Sequence, residues 1–120
     1  MPLTCPCGQK QPYDVCCGPL HQGKATAATA EQLMRSRYTA FVMHDAAYLR
    51  RTWSLTTRPA AIEFDPSRRW TGLEILGTTG GTAFHTDGTV EFNAHHNTGV
   101  QHENSAFTRE AGEWVYVSAL

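Results

Sequence analysis

The sequence predicts an α+β fold: an N-terminal cysteine element, then helices, then four antiparallel strands, with the helices on one face of a curved sheet. Three observations predict it. All four cysteines of the 120-residue chain lie between positions 5 and 17. From Ala30 to about His44, apolar residues recur at helical spacing. From Trp70 onward the period changes to two, interrupted by Gly80-Gly81, Asn97-Thr98-Gly99 and Ala111-Gly112.

Composition narrows the function classes. A length of 120 residues suits one small domain, and a hydrophobic fraction of 41% suits a folded one. A formal charge of −1 opposes a phosphate-dominated nucleic-acid footprint. No apolar run reaches transmembrane length, and Met1 leads into no hydrophobic signal segment. A reduced, cytoplasmic protein is therefore expected.

The cysteines are spaced Cys5-x-Cys7, eight residues, then Cys16-Cys17. Two close pairs on either side of a loop suit zinc, because each pair supplies one edge of a tetrahedron. A disulfide cluster and a redox pair are the alternatives. The missing signal segment opposes the first, and the absence of Cys-x-x-Cys spacing opposes the second. His21 is a spare ligand beside four thiolates. The stretch Cys5-Pro6-Cys7-Gly8 … Cys16-Cys17 resembles the SEC-C motif, best known from the C-terminal tail of the SecA translocation ATPase. Gln9-Lys10 departs from that motif's usual Ser-Gly-Lys while leaving the ligand positions intact. One structural zinc held by Cys5, Cys7, Cys16 and Cys17 is expected, with residues 1–23 as the zinc element and 24–120 as the α+β domain.

The elements of the second part follow in order. Thr29 is a helix N-cap with Gln32 three residues on. The helix places Leu33, Met34, Tyr38, Phe41 and Val42 in one half of the wheel, with Arg37 inside that sector and Arg35 outside it. Asp45 caps a second helix, Ala46 to Trp53. Ala60 to Phe64, between Pro59 and Pro66, reads as one helical turn or as extended chain. Strands are expected over Trp70–Thr78, from about Asp87 or Thr89 to His96, Val100–Arg109 and Trp114–Ser118. A two-residue Ala111-Gly112 loop would set Phe107 opposite Tyr116 and Arg109 opposite Trp114, with Ser105 and Glu103 further along the same face.

Several stretches, in order, resemble a bacterial family, the YchJ-like proteins. They are Leu33-Met34-Arg35-Ser36-Arg37-Tyr38-Thr39-Ala40-Phe41-Val42, Trp70-x-Gly72-Leu73-x-Ile75, Glu103-x-Ser105-x-Phe107 and Gly112-x-Trp114-x-Tyr116. The resemblance implies a SEC-C motif joined to a domain like nuclear transport factor two, a cone of bent sheet closed by helices. The family usually ends Tyr-x-Asp-Gly; Tyr116-Val117-Ser118-Ala119 stands here instead, so no role for that aspartate carries over.

Fold alone does not choose a function. Arg37, Glu103 and Ser105 are the candidate polar residues inside the cone. Two readings of Arg37 and Glu103 apply: an ion pair that fixes helix to sheet, or a site with Arg37 holding an anion and Glu103 acting as a base. The first function expected is a non-enzymatic adaptor that presents the zinc element to a protein partner. The alternative is a small-molecule binder or proton-transfer enzyme working inside the cone. A sealed interior favours the adaptor; an open cavity with Glu103 free of arginine favours the alternative. His95 and His102 are expected on the outer sheet face, solvated or facing a second subunit, and the tryptophans in the core.

Overall fold

The computed structural model describes residues 4–120. After a 3-10 turn at Tyr13–Val15 come three helices: α1 (Cys17–His21), α2 (Ala30–Met43) and α3 (Ala46–Arg51). Four strands follow: β1 (Trp70–Gly80), β2 (Asp87–His96), β3 (Gly99–Glu110) and β4 (Glu113–Ala119). They form one antiparallel meander in the order β1-β2-β3-β4. The α+β arrangement expected from the change of period is the one observed.

Local chemistry explains the boundaries. The Gln32 amide donates to Thr29 Oγ1 at 3.1 Å, and Gln32 Oε1 accepts from the Ala28 amide at 2.7 Å, so two free donors at the start of α2 are satisfied. Asp45 caps α3 in the same way, accepting from the Tyr48 amide at 3.1 Å. The last hairpin turns on Ala111 and Gly112, with φ of 53° and 83°, the two positive values that a type I′ turn requires. It sets Phe107 opposite Tyr116 and Arg109 opposite Trp114, as the spacing predicts. Irregularities between Trp70 and Gly72, Ile75 and Gly77, and Ala106 and Phe107 bend the strands.

Helix α3 stops at Arg51, short of the expected Trp53. Thr52 Oγ1 donates back to the Tyr48 carbonyl at 2.8 Å, and the chain then leaves the helix to run beside β4. The Ser54 amide donates to the Tyr116 carbonyl at 2.7 Å, and the Tyr116 amide to the Thr52 carbonyl at 2.8 Å. Trp53 thereby becomes part of the sheet edge rather than of a helix face. Residues 60–64 form no helical turn; Ile62 and Phe64 pack on the small core around Leu20, Ala40, Tyr48 and Leu49.

The main core lies between α2 and the sheet. Leu33, Met34 and Tyr38 meet Val90, Phe92, Ala94, Phe107 and Trp114 there. The opposite side of α2 is buried as well: Ser36, Thr39 and Ala40 are fully enclosed. Small side chains at that spacing let α3 and the cysteine element approach the helix closely.

Candidate metal centre and cone cavity

Cys5, Cys7 and Cys17 are buried and Cys16 is partly exposed. Their four sulfurs lie within 4.8 Å of one another, with Cys7 and Cys16 at 3.5 Å and no disulfide among them. A metal–sulfur bond of about 2.3 Å puts neighbouring sulfurs of a tetrahedron about 3.8 Å apart, so the cluster is close to a ligand set. The turn that brings the pairs together depends on Gly18, where a Cβ would stand 2.8 Å from the Tyr13 carbonyl oxygen.

The clustered sulfurs perturb one another. Cys7 is pulled down to about 5, first by the hydrogen bond from Cys17, then by the Gln9 amide, against the cost of burial. Burial and the neighbouring Cys7 push Cys16 up to about 12, and its bond to Cys7 followed by burial pushes Cys17 up as well. Thiolates packed this closely repel one another. Four require a positive charge at their centre, and the cluster can hold a metal ion.

His21 is engaged elsewhere. Its Nδ1 lies 2.8 Å from the Tyr13 hydroxyl, and its Nε2 donates a hydrogen bond to the Ser36 carbonyl at 2.8 Å. The ring is a strut between α1 and α2. Arg35, which the wheel sets outside the apolar sector, is a second strut. Its Nη1 donates to the Cys7 carbonyl at 2.6 Å while its Nε meets Glu31 at 3.0 Å.

On the other side of α2 the cone is hollow. A cavity of about 280 Å³ is lined by Arg37, Glu103 and Ser105, by the aromatic rings of Tyr38, Phe41, Trp53, Trp70, Phe92 and Tyr116, and by Arg68 at its rim. All three predicted cone residues therefore reach one space. Arg37 and Glu103 do not form the expected ion pair: among the described residues no carboxylate lies within 4.0 Å of Arg37. Arg37 is only 3% exposed, and its Nη1 donates to the Leu49 carbonyl and to Thr52 Oγ1, both at 2.8 Å. Its guanidinium lies 4.9 Å from the Trp53 ring centre and 4.7 Å from that of Tyr116. The early turn out of α3 is what delivers Leu49, Thr52 and Trp53 to it, and the register at Ala111-Gly112 delivers Tyr116.

Glu103 is held by hydroxyls instead. Its Oε2 accepts from Ser105, which is fully buried, and from Tyr116 at 3.2 Å. Ring faces return about 0.5–2 kcal/mol each to a desolvated cation, against several kcal/mol lost on burial. Burial accordingly pulls Arg37 down to about 10.

The remaining expectations divide. His102 and His95 face outward on the sheet, 2.7 Å from Glu91 and 3.5 Å from Glu74. Trp114 is core, whereas Trp53 and Trp70 line the cavity. Among the described residues no helix is long and apolar enough to cross a membrane.

A four-stranded meander closed by helices around a hollow, with a four-cysteine cluster against the outside of the main helix, defines an NTF2-like domain joined to a cysteine metal motif. The chain belongs to the YchJ family: the family described as YchJ, middle NTF2-like domain, matches residues 29–119. A UPF0225 protein of Streptomyces avermitilis is 59% identical over 97% of this chain and 83% of its own length. One from Corynebacterium efficiens is 46% identical over 95% and 90%. A SEC-C motif containing protein of Rhodopseudomonas palustris, solved in solution, matches with a TM-score of 0.79 at 30% identity, over 100% of this chain and 98% of that one. The crystal structure of another, from Psychrobacter arcticus, matches with a TM-score of 0.77 at 28% identity, over 96% and 80%.

Tyr38, which is buried, and Tyr116, which is half-buried, give a pH signature. Tyr38 is pushed up to about 12 by burial, and Tyr116 to about 12 by burial and then by the Glu103 charge. Both folded values exceed the usual value near 10 for an unfolded tyrosine, so the folded state holds these protons longer. Their stabilising effect is complete below pH ~10 and is lost as pH rises toward ~12. Denaturation midpoints measured across that window should fall more steeply for the wild type than for Tyr116→Phe, and tyrosinate absorbance should show late-titrating rings.

Proposed function

We propose that this chain is a zinc-braced small-molecule binding protein, with the ligand taken up inside the cone. The observation that carries this reading is the hollow interior in which Arg37 and Glu103 are close but not paired. A salt bridge there would make the polar residues a structural fastening; their separate fixation leaves a charged donor and a charged acceptor in one aromatic space. Glu103 is suitably placed for proton transfer, but binding alone accounts for the arrangement.

Zinc is the metal that best fits four thiolates on a short loop, and its coordination is then complete, leaving no position for water or substrate. Its role is mechanical. The sulfur cluster, the His21 strut and the Arg35 strut together hold residues 5–21 against α2.

A second reading, the adaptor, draws support from the outer side of the cysteine element. Val15 there is 67% exposed beside the metal cluster. A protein partner that docks on this side of the element would cover it.

Three outcomes test these readings. Metal analysis should find one zinc per chain, and Cys7→Ser should abolish it and lower Tm by roughly 5 °C or more while the sheet remains, because the core around Leu33, Phe92 and Phe107 contains no cysteine. Persistence of zinc in that variant would refute the ligand set. Protein purified under native conditions should release a small molecule on denaturation, and a folded Ala94→Phe variant, which fills the cavity, should release none. If Val15→Asp recovers the same protein partners as the wild type, the adaptor reading fails on this surface.

A further inference from the structure

The cavity's charge, shape and size narrow its ligand. Resting on the small-molecule reading, we infer that the ligand is a compact, flat organic monoacid whose carboxylate meets Arg37. Arg37 spends Nη1 on Leu49 and Thr52; Nε and Nη2 have no acceptor among the described residues. A guanidinium offers five N–H donors in a planar fork, and the edge with Nε and Nη2 matches the two oxygens of a carboxylate. Trp53 lines the same cavity, and its indole Nε1 is buried with no partner among the described residues. Trp53 and Tyr116, perpendicular to each other with centroids 5.0 Å apart, pack against the guanidinium at 4.9 and 4.7 Å, so its position is set by these rings and by the Leu49 and Thr52 bonds.

The charge count sets the sign and size of the guest's charge. Arg37 and Arg68 against Glu103 leave the lining at a formal +1. One negative charge balances it. A dianion such as a phosphomonoester would put its second charge against Glu103, whose Oε2 is already committed to Ser105 and Tyr116. The walls decide the body. Tyr38, Phe41, Trp70 and Phe92 present rings, and Tyr38 and Trp70 meet edge-on at 6.1 Å between centroids. A planar apolar group packs against such surfaces. A cavity of about 280 Å³ lies at the small end for ligand sites, with room for on the order of ten non-hydrogen atoms.

Benzoate and benzamide have this size and differ chiefly in charge. Each would be titrated into the full-length, metal-loaded protein while the Trp53 and Trp70 indole N–H signals are followed by NMR. Benzoate should bind about tenfold tighter than benzamide or better, and phenyl phosphate more weakly than benzoate. In a folded Arg37→Met variant the benzoate preference should disappear. Should that variant fail to fold, Glu103→Gln supplies the check: removing the like charge should tighten benzoate several-fold. Equal affinities of benzoate and benzamide, or an unchanged or weaker benzoate affinity in Glu103→Gln, would overturn the monoacid assignment while leaving a binding cavity. If no compound moves either indole signal, the small-molecule reading falls with it.

Discussion

Helix α2 has no free face through its middle. From Leu33 to Ala40 every side chain is buried except that of Arg35, which is half-covered by the cysteine element. A helix enclosed in this way is normally apolar all round. Here one side is apolar, for the sheet, and the other is small and polar, for the cysteine element and α3. The polar side is satisfied: Ser36 Oγ donates to the Leu33 carbonyl at 2.8 Å and lies 2.7 Å from the Tyr48 hydroxyl, while Thr39 Oγ1 lies 3.7 Å from the Cys5 sulfur. Everything else in the molecule is positioned relative to that helix.

The same constraint accounts for Arg37. A cation on the sheet-facing side of α2 cannot reach bulk water, and the structure supplies carbonyl, hydroxyl and ring faces rather than a carboxylate. An ion pair would neutralise it more fully, yet Glu103 is held back by Ser105 and Tyr116 on its own sheet. Two hydroxyls therefore keep the acid and base apart and leave the cavity open. Stability is given up locally at a place where the chain retains recognisable chemistry.

Much of this was legible in the sequence, and the exceptions have physical causes. The change from a 3.6 to a 2.0 period located α2 and all four strands, and Ala111-Gly112 fixed the pairing of Phe107 with Tyr116. The cysteine spacing gave the metal cluster. The second buried side of α2 was not legible from hydrophobicity, since Ser36 and Thr39 look like solvent-facing residues. The signal that could have revealed it is the run of small residues Ser36, Thr39 and Ala40 at helical spacing, a mark of close approach. The end of α3 was missed because Leu49 and Trp53 share a helical face equally well on paper; the bond from Thr52 back to Tyr48 and the pairing of Ser54 with Tyr116 override that periodicity. The ion pair expected between Arg37 and Glu103 was a reasonable inference from shared faces. Sharing a face does not fix which hydrogen bonds win, and the carbonyl of Leu49 and the hydroxyl of Thr52 could be placed only once the α3 ending was known.

The two arginines of α2 divide its duties. Arg35 and Arg37 are two residues apart, which puts them about 200° apart around the helix. Arg35 grips the backbone of Cys7 in the cysteine cluster, and Arg37 lines the cavity. The cysteine element and the cavity share no side chain, but both are referred to one rigid helix. The route from the sulfur cluster to the cavity runs through Cys7 to Arg35 on one side, and through His21 to Ser36 on the other, each ending within two residues of Arg37. A metal ion held by the four cysteines would therefore act on the cone through the helix that carries its buried cation, without touching anything the cone would bind.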